Sequence, residues 1–184
     1  MKNKIVLVGA STGGPSIIKE MLKNLECLSS TVVIVQHMRE EVIPFFIKDL
    51  QESLKCDVYS TPTKTTFTKP SVIICAESCI VRKNYATYEF VTDKQNQRYT
   101  PDINKLFSSF APFVHDFDIS VLIMTGIGAD GVDGAKELKA KGAKIYAQDE
   151  KSSPVYGMPR VAIESGIVDK VKSLDEIKEC FRRL

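Results

Sequence analysis

Residues 4–16 read KIVLVGASTGGPS, and this stretch decides the fold. Residues 4–8 form an apolar, β-branched run without alternation, which predicts a strand buried on both faces. The chain then turns through Gly9-Ala10-Ser11-Thr12-Gly13-Gly14 to Pro15, a residue tolerated in the first turn of a helix. Ile17, Ile18, Met21, Leu22 and Leu25 follow at helical spacing, predicting a helix over 15–25. The run Thr31–Gln36 returns to strand character, so the first 36 residues make a β-α-β unit.

The same alternation continues outward. Ile43, Phe46, Ile47, Leu50 and Leu54 mark a second amphipathic helix. Ile103, Leu106, Phe107, Phe110 and Val114 mark a third, with Thr100-Pro101 as its expected cap and first turn. Residues 119–124 are the most apolar strand, and 130–141 read as a helix closed by Gly142. Another strand is expected at 144–147, a short helix at 159–164, and a last helix opened by the capping box Ser173-Leu174-Asp175-Glu176. Between 56 and 92 the β-rich pieces 57–60, 71–74, 79–82 and 87–91 follow one another with no helical pattern between them. That spacing predicts an insertion of antiparallel hairpins. The fold class is α/β: a largely parallel, doubly wound sheet with helices on both faces.

Composition narrows the function. A chain of 184 residues with 43% hydrophobic and 26% charged residues suits one ordinary globular domain. No apolar run approaches the ~20 residues of a membrane-spanning helix, and the first strand starts without a signal-peptide pattern, so a cytoplasmic protein is expected. The net charge of +2 is dispersed, which argues against a nucleic-acid face. Cys27, Cys56, Cys75, Cys79 and Cys180 are scattered as reduced thiols would be. Cys75 and Cys79, the one close pair, have no histidine or second pair nearby, so buried thiols are expected rather than a metal site. No cofactor or metal is called for.

Three readings compete for the glycine-rich turn. A phosphate-binding loop of the Walker type would end in Gly-Lys-Ser/Thr, which is absent. A dinucleotide site would place an acidic residue at the end of the second strand, where this chain has Gln36-His37. Gly9-Ala10-Ser11-Thr12-Gly13 does fit G-x-S-x-G, which sets a serine on a sharp strand-to-helix turn. Taken alone, the motif also permits a hydroxyl that merely caps the first helix.

His37 weights the choice. It follows the second strand, at the same sheet edge as Ser11 and one strand away, where it could act as a base or be a hydrogen-bonded loop residue. His115, the other histidine, belongs at the opposite edge and is read as structural or solvated. The apolar strand 119–124 runs into Thr125-Gly126-Ile127-Gly128-Ala129-Asp130-Gly131, which places Asp130 at that first edge, either capping the next helix or orienting an imidazole. Ser, His and Asp from three strand ends meet in the crevice where α/β sheets bind ligands, and together they favour a hydrolytic triad. Their order differs from the Ser, Asp, His order of the α/β-hydrolases.

The segments VLVGASTGGPS, VVIVQHM, LIMTGIGADGVDGA and AQDEKSSPVYGMPRVAIESGIVD resemble those of the chemotaxis protein-glutamate methylesterases, in the same order and spacing. The resemblance implies Ser11 as nucleophile, His37 as base and Asp130 as its partner. It places Thr12 and Ile127 at the oxyanion-stabilising turns, with Ile127 where the family commonly has Met. Two segments depart from the family pattern: Cys75-Ala76-Glu77-Ser78-Cys79 in place of A-P-G-D-x-H, and Thr100-Pro101-Asp102-Ile103-Asn104 in place of R-P-S-x-D. Most members also carry an N-terminal receiver domain, whereas this chain begins at the catalytic strand, which implies a crevice open to substrate whatever the phosphorylation state.

The expected activity is hydrolysis of glutamate methyl esters on the cytoplasmic helices of chemoreceptors, with deamidation of receptor glutamines. The expected partners are those receptors, with no nucleic acid, no membrane insertion and a monomeric state. A small-molecule esterase or amidase with the same triad, and a receptor-binding module without activity, are the rival readings.

Overall fold

The computed structural model describes residues 2–23, 30–96 and 98–183; Leu25 and Cys27 lie outside them. The first unit is β1 (Lys4–Ala10), α1 (Gly14–Leu22) and β2 (Thr31–Gln36), followed by α2 (Ile43–Ser53). Then come β3 (Val58–Ser60), β4 (Thr63–Thr65), β5 (Val72–Ile74), β6 (Cys79–Asn84) and β7 (Thr87–Thr92). The remainder is α3 (Ile103–Ser109), a 3-10 turn (Ala111–Phe113), β8 (Asp118–Ile123), α4 (Val132–Ala140), β9 (Lys144–Gln148), α5 (Gly157–Glu164), β10 (Lys170–Lys172) and α6 (Leu174–Arg183).

Among the described residues, seven strands form one sheet in the order β10-β9-β8-β1-β2-β5-β3, and every pairing in it is parallel. β1 is central, with β2 on one side and β8 on the other, so the chain order reverses there. A crevice opens at such a reversal, outside the carboxyl ends of the strands. The lack of alternation in β1 and β2 has its reason in the packing. Ile5 and Leu7 face the layer of α3, α4 and α5, with Phe107, Leu138 and Met158. Val6, Val8 and Ala10 face the layer of α1, α2 and α6, with Met21, Leu50 and Phe181.

The 56–92 region divides in two. The antiparallel insertion is there as β4-β7-β6. Two of the predicted pieces, now β3 and β5, instead join the main sheet in parallel register, Val58 opposite Val72. A parallel neighbour normally needs a helical crossover; here the strand β4 and the residues after it make the crossing, which left no helical pattern to read. The small sheet packs over the α3 side through Phe67, whose ring centroid lies 5.2 Å from that of Phe117.

Helix starts also differ from expectation. The N-cap of α3 is Asp102, whose side chain accepts from Lys105 N–H at 2.8 Å, rather than Thr100-Pro101. The capping box of α6 forms as its sequence requires: Ser173 N–H donates to Glu176 Oε2 at 2.8 Å, and Glu176 N–H to Ser173 Oγ at 3.3 Å. Cys75 and Cys79 are buried with their sulfurs 3.5 Å apart, and burial pushes the Cys75 thiol well above its ordinary value.

Candidate active site

β1 delivers Ser11 to the crevice on a turn that its glycines make possible. Gly13 has φ of 81°, a left-handed conformation that L-residues adopt at a cost, and a Cβ there would lie 2.8 Å from Pro154 Cβ. Gly13 is the N-cap of α1 and no side chain caps it, so the Ser11 hydroxyl does not serve the helix. Instead Ser11 Oγ lies 3.1 Å from Nδ1 of His37, the residue that follows β2. His37 N–H donates to the Ala10 carbonyl at 3.0 Å, extending the β1–β2 ladder by one step and fixing the histidine beside Ser11.

The other imidazole nitrogen, Nε2, lies 2.6 Å from Asp130 Oδ2. Asp130 does not cap α4, whose N-cap is Gly131 without side-chain help. Its carboxylate reaches across to α3 and accepts from Ile103 N–H and Asn104 N–H, both at 2.9 Å. Those donors, with the imidazole, make it possible to bury a charge that would otherwise be costly to desolvate. The Asp130 side chain is 1% exposed and the His37 side chain 13%, so the carboxylate is dry while the imidazole edge stays accessible. This network sets the tautomer: Nε2–H donates to Asp130 and the Nδ1 lone pair accepts from Ser11. In the chymotrypsin arrangement the two ring nitrogens hold the opposite places. Either nitrogen can take a proton, so the chemistry is equivalent.

A second layer braces the turn. Ser11 N–H donates to the Thr125 carbonyl at 2.9 Å. The Thr125 hydroxyl donates to the Thr12 carbonyl at 2.8 Å and accepts from Val155 N–H at 3.0 Å. Gln148, fully buried, accepts from Thr125 N–H at 2.9 Å and donates to the Ser152 carbonyl at 2.7 Å. Thr12 N–H and Ile127 N–H have no acceptor among the described residues, and the Ile127 side chain is 64% exposed at the rim.

Ser11, His37 and Asp130 are therefore brought together, with Thr12 and Ile127 on the two flanking turns. His115 lies at the other sheet edge, near Lys4 and Asp118 at the starts of β1 and β8. The sequence reading missed Gln36, Tyr99 and Thr125 as members of the site. Gln36 carried a signal, being a polar residue closing an otherwise apolar strand; Tyr99 and Thr125 carried none.

The family model described as CheB methylesterase matches residues 6–181. The chain belongs to this family. It is 34% identical to a protein-glutamate methylesterase/protein-glutamine glutaminase of Saccharophagus degradans, over 95% of this chain and 48% of that one. It is 35% identical to one from Syntrophus aciditrophicus, over 99% of this chain and 54% of that protein. The chain thus spans about half the length of the curated relatives it matches. The fold superposes on the crystal structure of the Thermotoga maritima CheB methylesterase catalytic domain with a TM-score of 0.87 and 25% identity, covering 100% of this chain and 99% of that one.

Proposed function

We propose that this chain hydrolyses glutamate methyl esters on chemoreceptors, and deamidates receptor glutamines, with Ser11 as nucleophile, His37 as base and Asp130 as the group that orients the imidazole. The observation that carries the reading is the unbroken line Ser11 Oγ, His37, Asp130, with spacings of 3.1 and 2.6 Å, at the crevice of a member of this family. His37 Nδ1 takes the Ser11 proton as Oγ bonds to the ester carbonyl carbon. The negative charge formed on the carbonyl oxygen is held by Thr12 N–H and Ile127 N–H, and removing one such donor costs about 3 kcal/mol in hydrolases of this kind. The tetrahedral species collapses, breaking the bond to methoxide, which leaves as methanol with the proton from His37. Water, deprotonated by the same nitrogen, then attacks the acyl-enzyme and frees glutamate and Ser11. With glutamine, ammonia leaves in place of methanol.

The partner is a receptor helix presenting the methylated side chain, and the reaction takes place in the cytoplasm. The test is methanol release from membranes carrying methylated receptors. Wild type should release methanol, and Ser11→Ala should lose several orders of magnitude. Residual activity in the variant above about a tenth of wild type would remove Ser11 from the role of nucleophile. Hydrolysis of small esters without methanol release from receptors would turn the reading toward a small-molecule esterase.

A further inference from the structure

The segment before α3 places an aromatic ring against the base. The Tyr99 ring stacks on the His37 imidazole with centroids 5.1 Å apart and planes 14° from parallel. We infer that Tyr99 is a positioning residue that holds the His37 imidazole in the plane shared by Ser11 and Asp130; the inference rests on the hydrolase reading above.

Two hydrogen bonds, one at each ring nitrogen, fix where the imidazole lies but leave it free to tilt about the line between them. Hydrogen bonds weaken steeply as their angles degrade, and the Nδ1 contact, at 3.1 Å, is the longer of the two. A flat ring stacked on one face blocks the tilt toward that side. The 5.1 Å separation falls within the range in which aromatic pairs attract beyond simple burial.

Tyr99 can do this because its own position is set. It is half-buried, and the Arg98 guanidinium carbon lies 5.7 Å from the centre of its ring. Arg98 N–H donates to Asp102 Oδ2 at 3.3 Å, and Asp102 N–H donates to Ser78 Oγ at 2.9 Å. The same turn supplies the Ile103 and Asn104 amides that grip Asp130. One segment therefore fixes both the carboxylate behind the imidazole and the ring lying on it. The phenol oxygen reaches toward Gly128, where an added Cβ would lie 3.6 Å away, so Tyr99 spans the crevice from the base to the turn carrying Ile127.

The ring, not the hydroxyl, is what the geometry uses, and the test separates them. The probe is a small fluorophosphonate, which reports Ser11 activation without receptor docking. Tyr99→Phe should be acylated within about twofold of wild type, while Tyr99→Leu should be slower by about tenfold or more, a loss in chemistry of the kind caused by misplaced catalytic groups. With methylated receptors the Leu variant should lose kcat with KM nearly unchanged. Proton NMR adds a readout independent of catalysis: in a His115→Gln background the ring protons of His37 should be shifted upfield by Tyr99, and should return downfield in Tyr99→Leu but not in Tyr99→Phe. An undiminished rate in Tyr99→Leu, a Phe variant as slow as Leu, or unshifted His37 protons would each overturn the inference. Wild type that fails to label at Ser11 would overturn the hydrolase reading itself, and this inference with it.

Discussion

The side-chain amide of Gln36 donates to the carbonyl of Ser11 at 2.8 Å, and the same nitrogen donates to the His37 carbonyl at 2.8 Å. Ser11 and His37 are thus fastened to each other through the backbone as well as through their side chains. Gln36 is 3% exposed, and its buried Oε1 has no hydrogen-bond partner among the described residues. That oxygen lies against Gly14, where any Cβ would collide with it.

Gln36→Met keeps the length and removes both donors. The His37 carbonyl then loses its partner, a change that costs about 1–3 kcal/mol when the group is buried. Calorimetry should show a lower melting temperature, and turnover should fall further than the population of folded protein accounts for. A variant as active and as stable as wild type would show that the side-chain contacts alone hold the pair.

The two histidines should part company. His37→Gln should reduce methanol release by several orders of magnitude, while His115→Gln at the opposite sheet edge should be nearly silent. Equal losses in the two variants would count against His37 as the base.

Gly126 is held to hydrogen by Ser11 itself. A Cβ at this position would lie 2.6 Å from Ser11 Cβ and would also collide with Met158 Sδ. Gly126→Ala should therefore push Ser11 away from His37. About a hundredfold loss in fluorophosphonate labelling is expected, in line with ångström-scale displacements at active sites. Retained labelling in a folded variant would mean that Met158 alone gives way.

Asp169 links β9, β10 and α4. Ile145 N–H donates to it at 2.7 Å and Lys139 Nζ at 2.8 Å, and these bonds, the backbone one foremost, hold its carboxyl below the ordinary range. A depressed pKa contributes stability that is complete above the unfolded value of about 4 and is lost as pH falls through the folded one. Asp169→Asn should melt slightly below wild type at neutral pH, the effect being small because the side chain is 41% exposed. The two melting curves should converge on acidification; a gap that widened instead would contradict the assignment.

Much of the fold was legible because burial on both faces writes itself as unbroken apolar runs, as in β1, β2 and β8. The meeting of Ser11, His37 and Asp130 was legible because each closes such a run or follows it within a short loop. Pairing partners were not. Nothing in Val58–Ser60 or Val72–Ile74 distinguishes a parallel neighbour from a hairpin arm, since that depends on where the intervening chain travels. Asp130 illustrates a second limit. A capping carboxylate was readable at the start of α4, but the amides it satisfies belong to α3, 27 and 26 residues away. Tyr99 is a third case, for its stacking on His37 depends on a turn that is anchored through Asp102 to Ser78, 24 residues earlier in the chain.

The position of β8 beside β1 has a consequence for when activity can arise. Ser11 and His37 are brought side by side by β1 and β2, which precede β8 in the chain. Asp130 and the Ile127 amide arrive only after the β-insertion and α3 have been made, and they reach the pair only when β8 inserts along β1, Leu7 beside Val121. On the proposed reading, the base beside Ser11 is therefore oriented by its carboxylate only once the two halves of the sheet have closed. Acylation by a fluorophosphonate is in this sense a clock for sheet closure, marking the moment at which the later half of the polypeptide docks onto the earlier one.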